Sequence, residues 1–377
     1  MKVKDTNFNY TLNVIARWFV GLVFLFSSFT KGVDPMGTAF KVQEYMTAWS
    51  IGGLTFEWAL PMANLLSVGL ICAEFLVGIL LIFNAYRRLS AWLLVLMMLF
   101  FTVTTFIDAL TNKVTDCGCF GDAVKLTNWQ TFWKNIVLDV PTLWIFLTRN
   151  LRRKRRFERD GVVFITAVAA MLVFEIYNIK HEPVIDFRPW KIGNRMMDTD
   201  TNEGVKSYVT YRNMESGETE EFESSQLMAR MEDPEWAAKW EWESSRVIDP
   251  REIKAEGFAM MDLEGEDHAT DLLADEAGLV IVTVHHLDEM TDKGVAQIRM
   301  AQRMAEENGL NIVMLTSALP EEVQNWMYAE HIENLDYYFA DATAIKTMLR
   351  GNPGFMFVKD AVVVDKGRKA MALKTNN

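Results

Sequence analysis

Cysteine is scarce in this chain: three residues in 377, at positions 72, 117 and 119, with none beyond Cys119. The second half therefore cannot run dithiol exchange with thiols of its own. Histidine is scarce too, and all five (181, 268, 285, 286 and 331) lie after residue 180. A metal site at Cys117 and Cys119 is disfavoured, because two thiolates need further ligands and their loop has no imidazole. No GxGxxG, P-loop or CxxCH run occurs, so nothing signals a nucleotide, a flavin or haem. Basic residues are spread evenly along the chain, while acidic ones accumulate in its second half. Residues 1–180 carry 18 Lys and Arg against 12 Asp and Glu, while residues 181–377 carry 20 against 38. So acidic a second half is a poor phosphate binder, which sets nucleic acid aside as a partner. The asymmetry fits a membrane part followed by an acidic soluble part. A cleavable leader is lacking as well: the first apolar run contains Arg17 and no small-residue cleavage site, and reads as a retained anchor.

What the chain has in quantity is apolar runs. Five approach the roughly 20 residues that a bilayer requires: Leu12–Thr30, a stretch within Phe56–Phe83 that can begin as a turn at Pro61, Leu89–Leu110, Trp129–Thr148 and Gly161–Ile179. Lys and Arg in short loops set orientation. Seven basic residues from Arg149 to Arg159, and the pair Arg87–Arg88, mark two loops as cytoplasmic. Five spans then place the N-terminus in the cytoplasm, and the 31–55 loop, the 111–128 loop and residues 181–377 outside it.

On this topology the stretch TDCGCFGD (115–122) lies on the outer side, just past the third span, where disulfides persist. A CxC disulfide closes a very small ring, and strained or exposed disulfides exchange readily. Gly118 supplies turn freedom. Asp116 and Asp122 would raise rather than lower the thiol pKa values. A redox-active or structural disulfide, two thiols without chemistry, and a metal site all stay open, in that order. Cys72, inside the second run, reads as a small buried hydrophobe.

The first span and its exit, VGLVFLFSSFTKGVDP, resembles the start of DoxX-type membrane proteins. DCGCFGD is similar to the cysteine motif of MauE-type proteins, the membrane factors of methylamine utilisation. The resemblance covers roughly residues 10–150. It implies a four-helix membrane fold related to vitamin K epoxide reductase, with Cys117 and Cys119 as the matching motif positions. MauE-type proteins are implicated in disulfide formation or maturation of a secreted enzyme, and DoxX-type proteins in quinone-coupled sulfur oxidation. The vitamin K reductase group carries CxxC where this chain has CxC. A quinone is thus the one candidate cofactor, and a secreted or periplasmic protein the candidate client.

Ionisable residues inside spans are costly and mark functional hypotheses. Glu74 in the second run and Asp139 in the fourth can relay protons beside a quinone, or simply hold helices together; packing is the simpler reading. Arg17 and Glu175 lie near span ends and are expected to snorkel outward.

Beyond residue 180, a connector (181–250) includes a β-hairpin in KSYVTYRNMESGETEEFES, turning at Glu215–Glu218. The Trp-rich stretch after it is expected to cover the hairpin or lie on the membrane. From about residue 251 the order is βαβαβαββ: a buried strand at 278–284, a helix from Thr291 to Gly309 with Val295, Ile298, Met300 and Met304 inward, a strand at 311–317, and a helix from Pro320. A short strand, a helix and a closing hairpin at Lys359–Ala361 complete it. That order resembles the thioredoxin fold, with Pro353 as its cis-proline after Asn352 and His285–His286 where the active turn would begin. The implied role is partner binding at Asn352, Pro353, His285 and His286. Two adjacent histidines diverge, so polar turn residues are favoured over a metal pair.

The expected architecture is therefore a DoxX/MauE-like membrane domain (1–150), a basic cytoplasmic loop and fifth transmembrane helix (151–180), a connector with hairpin (181–250) and a Cys-less thioredoxin-like domain (251–377). The combination resembles DoxX-family proteins of Bacteroidota, which implies the bacterial inner membrane with residues 181–377 in the periplasm. Two functions are consistent with it: a thiol–disulfide redox or maturation factor exchanging Cys117–Cys119, or a non-catalytic envelope assembly or scaffold protein.

Overall fold

A segment in lipid must satisfy its own backbone groups, so long apolar runs fold as helices. The computed structural model describes residues 4, 6–51, 54–114, 118–151, 157–197, 206–214, 216–231, 233, 236, 238–248, 253–255 and 257–370. The chain divides into two units, Met1–Arg188 and Pro189–Asn377.

The first unit contains α1 (Asn7–Val33), α2 (Pro35–Ala48), a two-residue pair β1 (Ser50–Ile51) and β2 (Leu54–Thr55), α3 (Ala63–Ile82), α4 (Arg87–Thr111), α5 (Asn128–Leu147) and α6 (Phe157–Lys180). A 3-10 turn over Glu57–Met62, holding Pro61, leads into α3. Among the described residues, four helical stretches are long and apolar enough to cross a membrane: Asn7–Val33, Trp58–Ile82, Arg87–Thr111 and Phe157–Lys180. α5, expected as the fourth of five spans, is not one of them. It is helical over 20 residues, but Gln130, Lys134, Asn135 and Asp139 make it more polar than the sequence reading allowed. The five-span count, and the orientation built on it, thus lacks this support.

Helix α1 packs on α3, α4 on α5, and α6 on α3. The α1–α3 approach is close because glycines meet: a Cβ at Gly78 would lie 3.0 Å from the Gly21 carbonyl oxygen, and one at Gly21 3.1 Å from that of Gly78. Val20, Phe24, Val77, Leu81, Leu94, Met98, Leu138 and Ile145 form the apolar core shared by α1, α3, α4 and α5. Polar pins join these helices: Asn13 Nδ2 of α1 donates to Thr148 Oγ1 at the end of α5 (2.6 Å), and Asn135 Nδ2 of α5 to Thr105 Oγ1 of α4 (3.1 Å).

The second unit carries two sheets. β3 (Lys206–Asn213), β4 (Thr219–Glu223) and β5 (Trp240–Ile248) form an antiparallel sheet in the order β4-β3-β5, with α7 (Ser224–Met231) following β4. The hairpin thus gains a third strand: WEWESSRVI, alternating over Trp240–Glu243, makes β5 itself, while Trp236 lies tilted against Tyr211 and edge-on to Phe222. Of the expected hairpin turn, Glu215 lies outside the described residues. The larger sheet has the order β10-β9-β6-β7-β8, built from β6 (Leu279–Val284), β7 (Asn311–Thr316), β8 (Asp336–Phe339), β9 (Gly354–Lys359) and β10 (Val362–Gly367). β6, β7 and β8 run parallel; β9 is antiparallel to β6, and β10 to β9.

Every residue of β6 is buried, as in a strand covered on both faces. Leu279 and Ile281 join one core with Trp190, Ile345 and Met348, so α8 (Ala269–Leu273) and α11 (Ala342–Met348) cover that face. Val280, Val282 and Val284 join the other core with Ile298 and Val323, beneath α9 (Asp292–Asn308) and α10 (Pro320–Ala329). Thr291 caps α9 by accepting from Gly294 N–H, and left-handed Gly309 (φ +65°) ends it. Its inner face is Val295, Ile298, Ala301 and Ala305; Met300 turns outward and Met304 is only partly buried. A 3.6-residue period passes from 298 to 301 and 305 and skips Met300.

Candidate functional site at the cysteine loop

α1 ends in SSFTKG, which puts Ser27 and Lys31 one turn apart on the same face. α3 carries Glu74 one turn from the Gly78 crossing. The close α1–α3 approach brings these groups together: Lys31 Nζ lies 2.6 Å from Glu74 Oε1, with side chains 7% and 1% exposed. An ion pair this deeply buried holds only when both partners are present. Lys31 also sits 5.5 Å from the Phe101 ring of α4.

Ser27 Oγ is the next link. It lies 2.8 Å from Glu74 Oε2 and 2.8 Å from the backbone carbonyl oxygen of Cys119. The cysteine loop thus rests on the same helix end as the buried pair. Its other anchors are Phe120 against Phe26 (ring centroids 5.4 Å), Lys134 over the Phe120 ring (4.6 Å), and Gly121 against α1. A Cβ at Gly121 would lie 3.4 Å from the Thr30 carbonyl oxygen, and its φ of +53° suits glycine. Gly118 is left-handed too, at φ +59°. Half-buried Cys119 lines a small cleft with Gly118, Gly121, Lys125 and Thr131. Asp116 and Cys117 lie outside the described residues.

Asp122, the last residue of the motif, lines a second small cavity with Thr30, Asp34 and the chain at Pro183–Arg188. Arg188 is buried there. Its Nε donates to Asp186 Oδ1 (2.8 Å), and its Nη2 to Asp186 Oδ2 (3.0 Å) and Glu182 Oε2 (3.2 Å). Burial would lower its pKa, but the Asp186 hydrogen bonds and the charges of Asp186, Asp34 and Glu182 outweigh it and hold the guanidinium protonated.

The remaining expected site residues are dispersed. Asp139, on α5, accepts from Thr102 Oγ1 of α4 at 2.9 Å and is half-buried, a helix-to-helix hydrogen bond at a different seam from Glu74. Arg17 and Glu175 do not snorkel. Arg17 is 6% exposed, and Glu175 is fully buried, where Oε2 accepts from the Cys72 thiol at 3.1 Å. Helix packing covers both before either can reach a surface, and Cys72, expected as a small buried hydrophobe, is half-buried and serves as a hydrogen-bond donor.

In the second unit the Asn352–Pro353 bond is cis. Asn352 joins it to the end of β6: His285 N–H donates to Asn352 Oδ1 (3.0 Å), and Asn352 Nδ2 donates to the His286 carbonyl (2.8 Å). The His285 ring is half-buried and its pKa is pushed down to about 4, first by burial and then by Lys346, His286 and Arg350. His286 is exposed. The two imidazoles therefore occupy different environments. Asp262, Glu266 and His268 bring possible ligand atoms within 4.8 Å of one another. That geometry is accounted for by an ion pair in a turn: His268 Nε2 is 2.7 Å from Asp262 Oδ2, and Asp262 Oδ1 accepts from Glu264 and Glu266 N–H.

Lys31 went unnoticed in the sequence because the first span was ended at Thr30, and Ser27 because an uncharged hydroxyl inside a span raises no flag. The available signal was an intramembrane carboxyl at Glu74, which demands a partner, and a lysine at an apolar helix end that can supply it.

The fold and site define a multi-pass helical membrane unit joined to an α/β unit, with a cysteine loop held at one end of the bundle. Residues 9–148, from α1 through α5, match the family described as methylamine utilisation protein MauE. The chain is also 25% identical over 209 residues to Protein TlpB of Flavobacterium psychrophilum, a match covering 54% of this chain and 53% of that protein. It thus spans about half the length of that curated relative. The first likeness covers the helical unit alone and fits a membrane helical bundle there. No solved structure matches.

Proposed function

We propose that this protein is a membrane thiol–disulfide redox or protein-maturation factor of the bacterial envelope, with Cys117 and Cys119 as the exchanging pair. The observation that carries the reading is the anchoring of Cys119 on the buried Ser27–Lys31–Glu74 cluster, within the stretch that matches the MauE family. A loop without chemistry gains little from a desolvated ion pair, because such pairs add little net stability. In the proposed cycle the Cys117–Cys119 disulfide accepts two electrons from a client dithiol, whose two protons pass to the loop thiols. A membrane quinone then takes two electrons and two protons from the reduced pair and leaves as quinol. The DoxX-like relationship, the inner-membrane location and the periplasmic placement of the α/β unit belong to the same proposal.

The strand order of the larger sheet supports a thioredoxin-like reading of the second unit. Lacking cysteine, it would hold a client near the membrane at Asn352, Pro353, His285 and His286. That same lack favours the second reading, an envelope assembly or scaffold protein that binds partners without exchange.

The test is the redox state of Cys117 and Cys119 in native membranes, trapped by acid and read by a mass-shifting alkylating reagent before and after quinone depletion. A pair that becomes reduced on depletion supports the redox cycle. A pair locked in one state, together with a fully functional Cys117→Ser/Cys119→Ser protein, leaves the scaffold reading.

A further inference from the structure

The Ser27 hydroxyl has one proton and two acceptors, Glu74 Oε2 and the Cys119 carbonyl oxygen, each 2.8 Å away. A hydroxyl donates one full hydrogen bond at a time. What Ser27 gives to the loop it withdraws from Glu74, and the reverse. Glu74 in turn is tied to Lys31 at 2.6 Å, and its side chain is 1% exposed, so water cannot readily replace a lost donor. The loop backbone at Cys119 and the ion pair inside the bundle are therefore coupled through a single proton.

We propose that Ser27, Lys31 and Glu74 are positioning residues that set the reduction potential of the loop cysteines. Making or breaking a disulfide in so small a ring must move the backbone at Cys119. The redox form whose carbonyl stays within reach of Ser27 is favoured; the other form releases Ser27 to Glu74. The ion pair fixes the hydroxyl's alternatives and so the size of the preference. Lys31 and Glu74 touch neither sulfur in this scheme. They act through Ser27, which acts through the Cys119 backbone.

The inference rests on the thiol–disulfide reading above, and the experiment separates the two. Full-length protein in detergent is equilibrated with glutathione buffers, in which protein disulfide and two glutathione thiols interconvert with protein dithiol and glutathione disulfide. The reduced fraction is read by alkylation. Ser27→Ala is expected to shift the equilibrium constant roughly three- to tenfold, the range of one ordinary hydrogen bond; tenfold corresponds to about 30 mV. Ser27→Thr, which keeps the hydroxyl, returns to within about twofold of wild type. Glu74→Gln keeps the side-chain shape and gives an independent readout. It shifts the equilibrium in the wild-type background and adds nothing in the Ser27→Ala background, a non-additivity that general loosening of the bundle would not produce. Wild-type potentials in Ser27→Ala or Glu74→Gln, or additive effects in the double variant, overturn the positioning role and leave thiol exchange standing. Loop cysteines in wild type that never equilibrate with glutathione overturn both.

Discussion

The two units bury polar chemistry in opposite ways. In the helical unit the outward faces are apolar, with Leu96, Leu99 and Val140 exposed, while the interior holds Lys31, Glu74, Glu175, Asn13 and Asn135. In the α/β unit the interior is two apolar clusters on the faces of one sheet, and the charged groups, buried Lys366 of β10 apart, lie outside. The contrast follows from the solvent each unit faces. Burying an apolar side chain drives folding in water, but beside lipid tails it gains little, so a bundle in lipid selects its packing through close glycine contacts and paired polar groups. The cysteine loop sits where that polar interior comes to the end of the bundle.

The contrast can be broken most sharply at Lys31. Lys31→Met leaves Glu74 buried without its cation and is expected to cost about 3–5 kcal/mol of bundle stability. Lys31→Met combined with Glu74→Leu is expected to recover most of that loss. Thermal unfolding of the three proteins in detergent measures both; a double variant as unstable as the single one would mean that the charges themselves organise the bundle.

Next in size is the apolar counterpart. Ile298→Ala, in the core beneath α9, is expected to destabilise the α/β unit by about 2–5 kcal/mol. Leu96→Ala, on an exposed apolar face of α4, should change stability by less than about 1 kcal/mol in detergent. Denaturant unfolding of each variant provides the comparison, and equal losses would erase the distinction between the units.

The smallest effect concerns His285, the half-buried imidazole at the end of β6. Its pKa lies near 4 in the folded chain against an ordinary 6.5. Between those values the unfolded chain binds a proton that the folded chain refuses, so stability is complete above about pH 6.5 and falls as pH drops toward 4. At most about 3 kcal/mol is at stake. His285→Phe should flatten the pH dependence of melting in that window; an unchanged slope would place the sensitivity elsewhere.

Much of this molecule was legible in its residues. Apolar runs of membrane length became helices, the Pro61 turn precedes α3, and Thr291 and Gly309 bound α9. Each of these is a local property, decided by residues within a turn or two of one another. Reading fell short where environment mattered more than pattern. α5 looked like a span by length, and its polar residues set it apart from the four most apolar stretches. Arg17 and Glu175 looked close enough to helix ends to escape, yet neighbouring helices cover them. β5 read as a Trp-rich cover, although the alternation of Trp240–Glu243 already carried the strand period.

By itself the sequence determined the two-part character of the chain, the positions of its long apolar helices and of the strands of the larger sheet, and the presence of a lone CGC pair in a helical region with no histidine beside it; α2 and β5 escaped it. Apolar periodicity and composition act locally, so they survive reading without coordinates. Only the tertiary structure decided that Lys31 belongs to Glu74, that Ser27 stands between that pair and Cys119, and that Glu175 faces Cys72 rather than the surface. Those choices depend on how each helix is rotated about its axis and how closely two helices approach. A single pair of facing glycines sets that approach here, and no residue can register it from its own place in the chain.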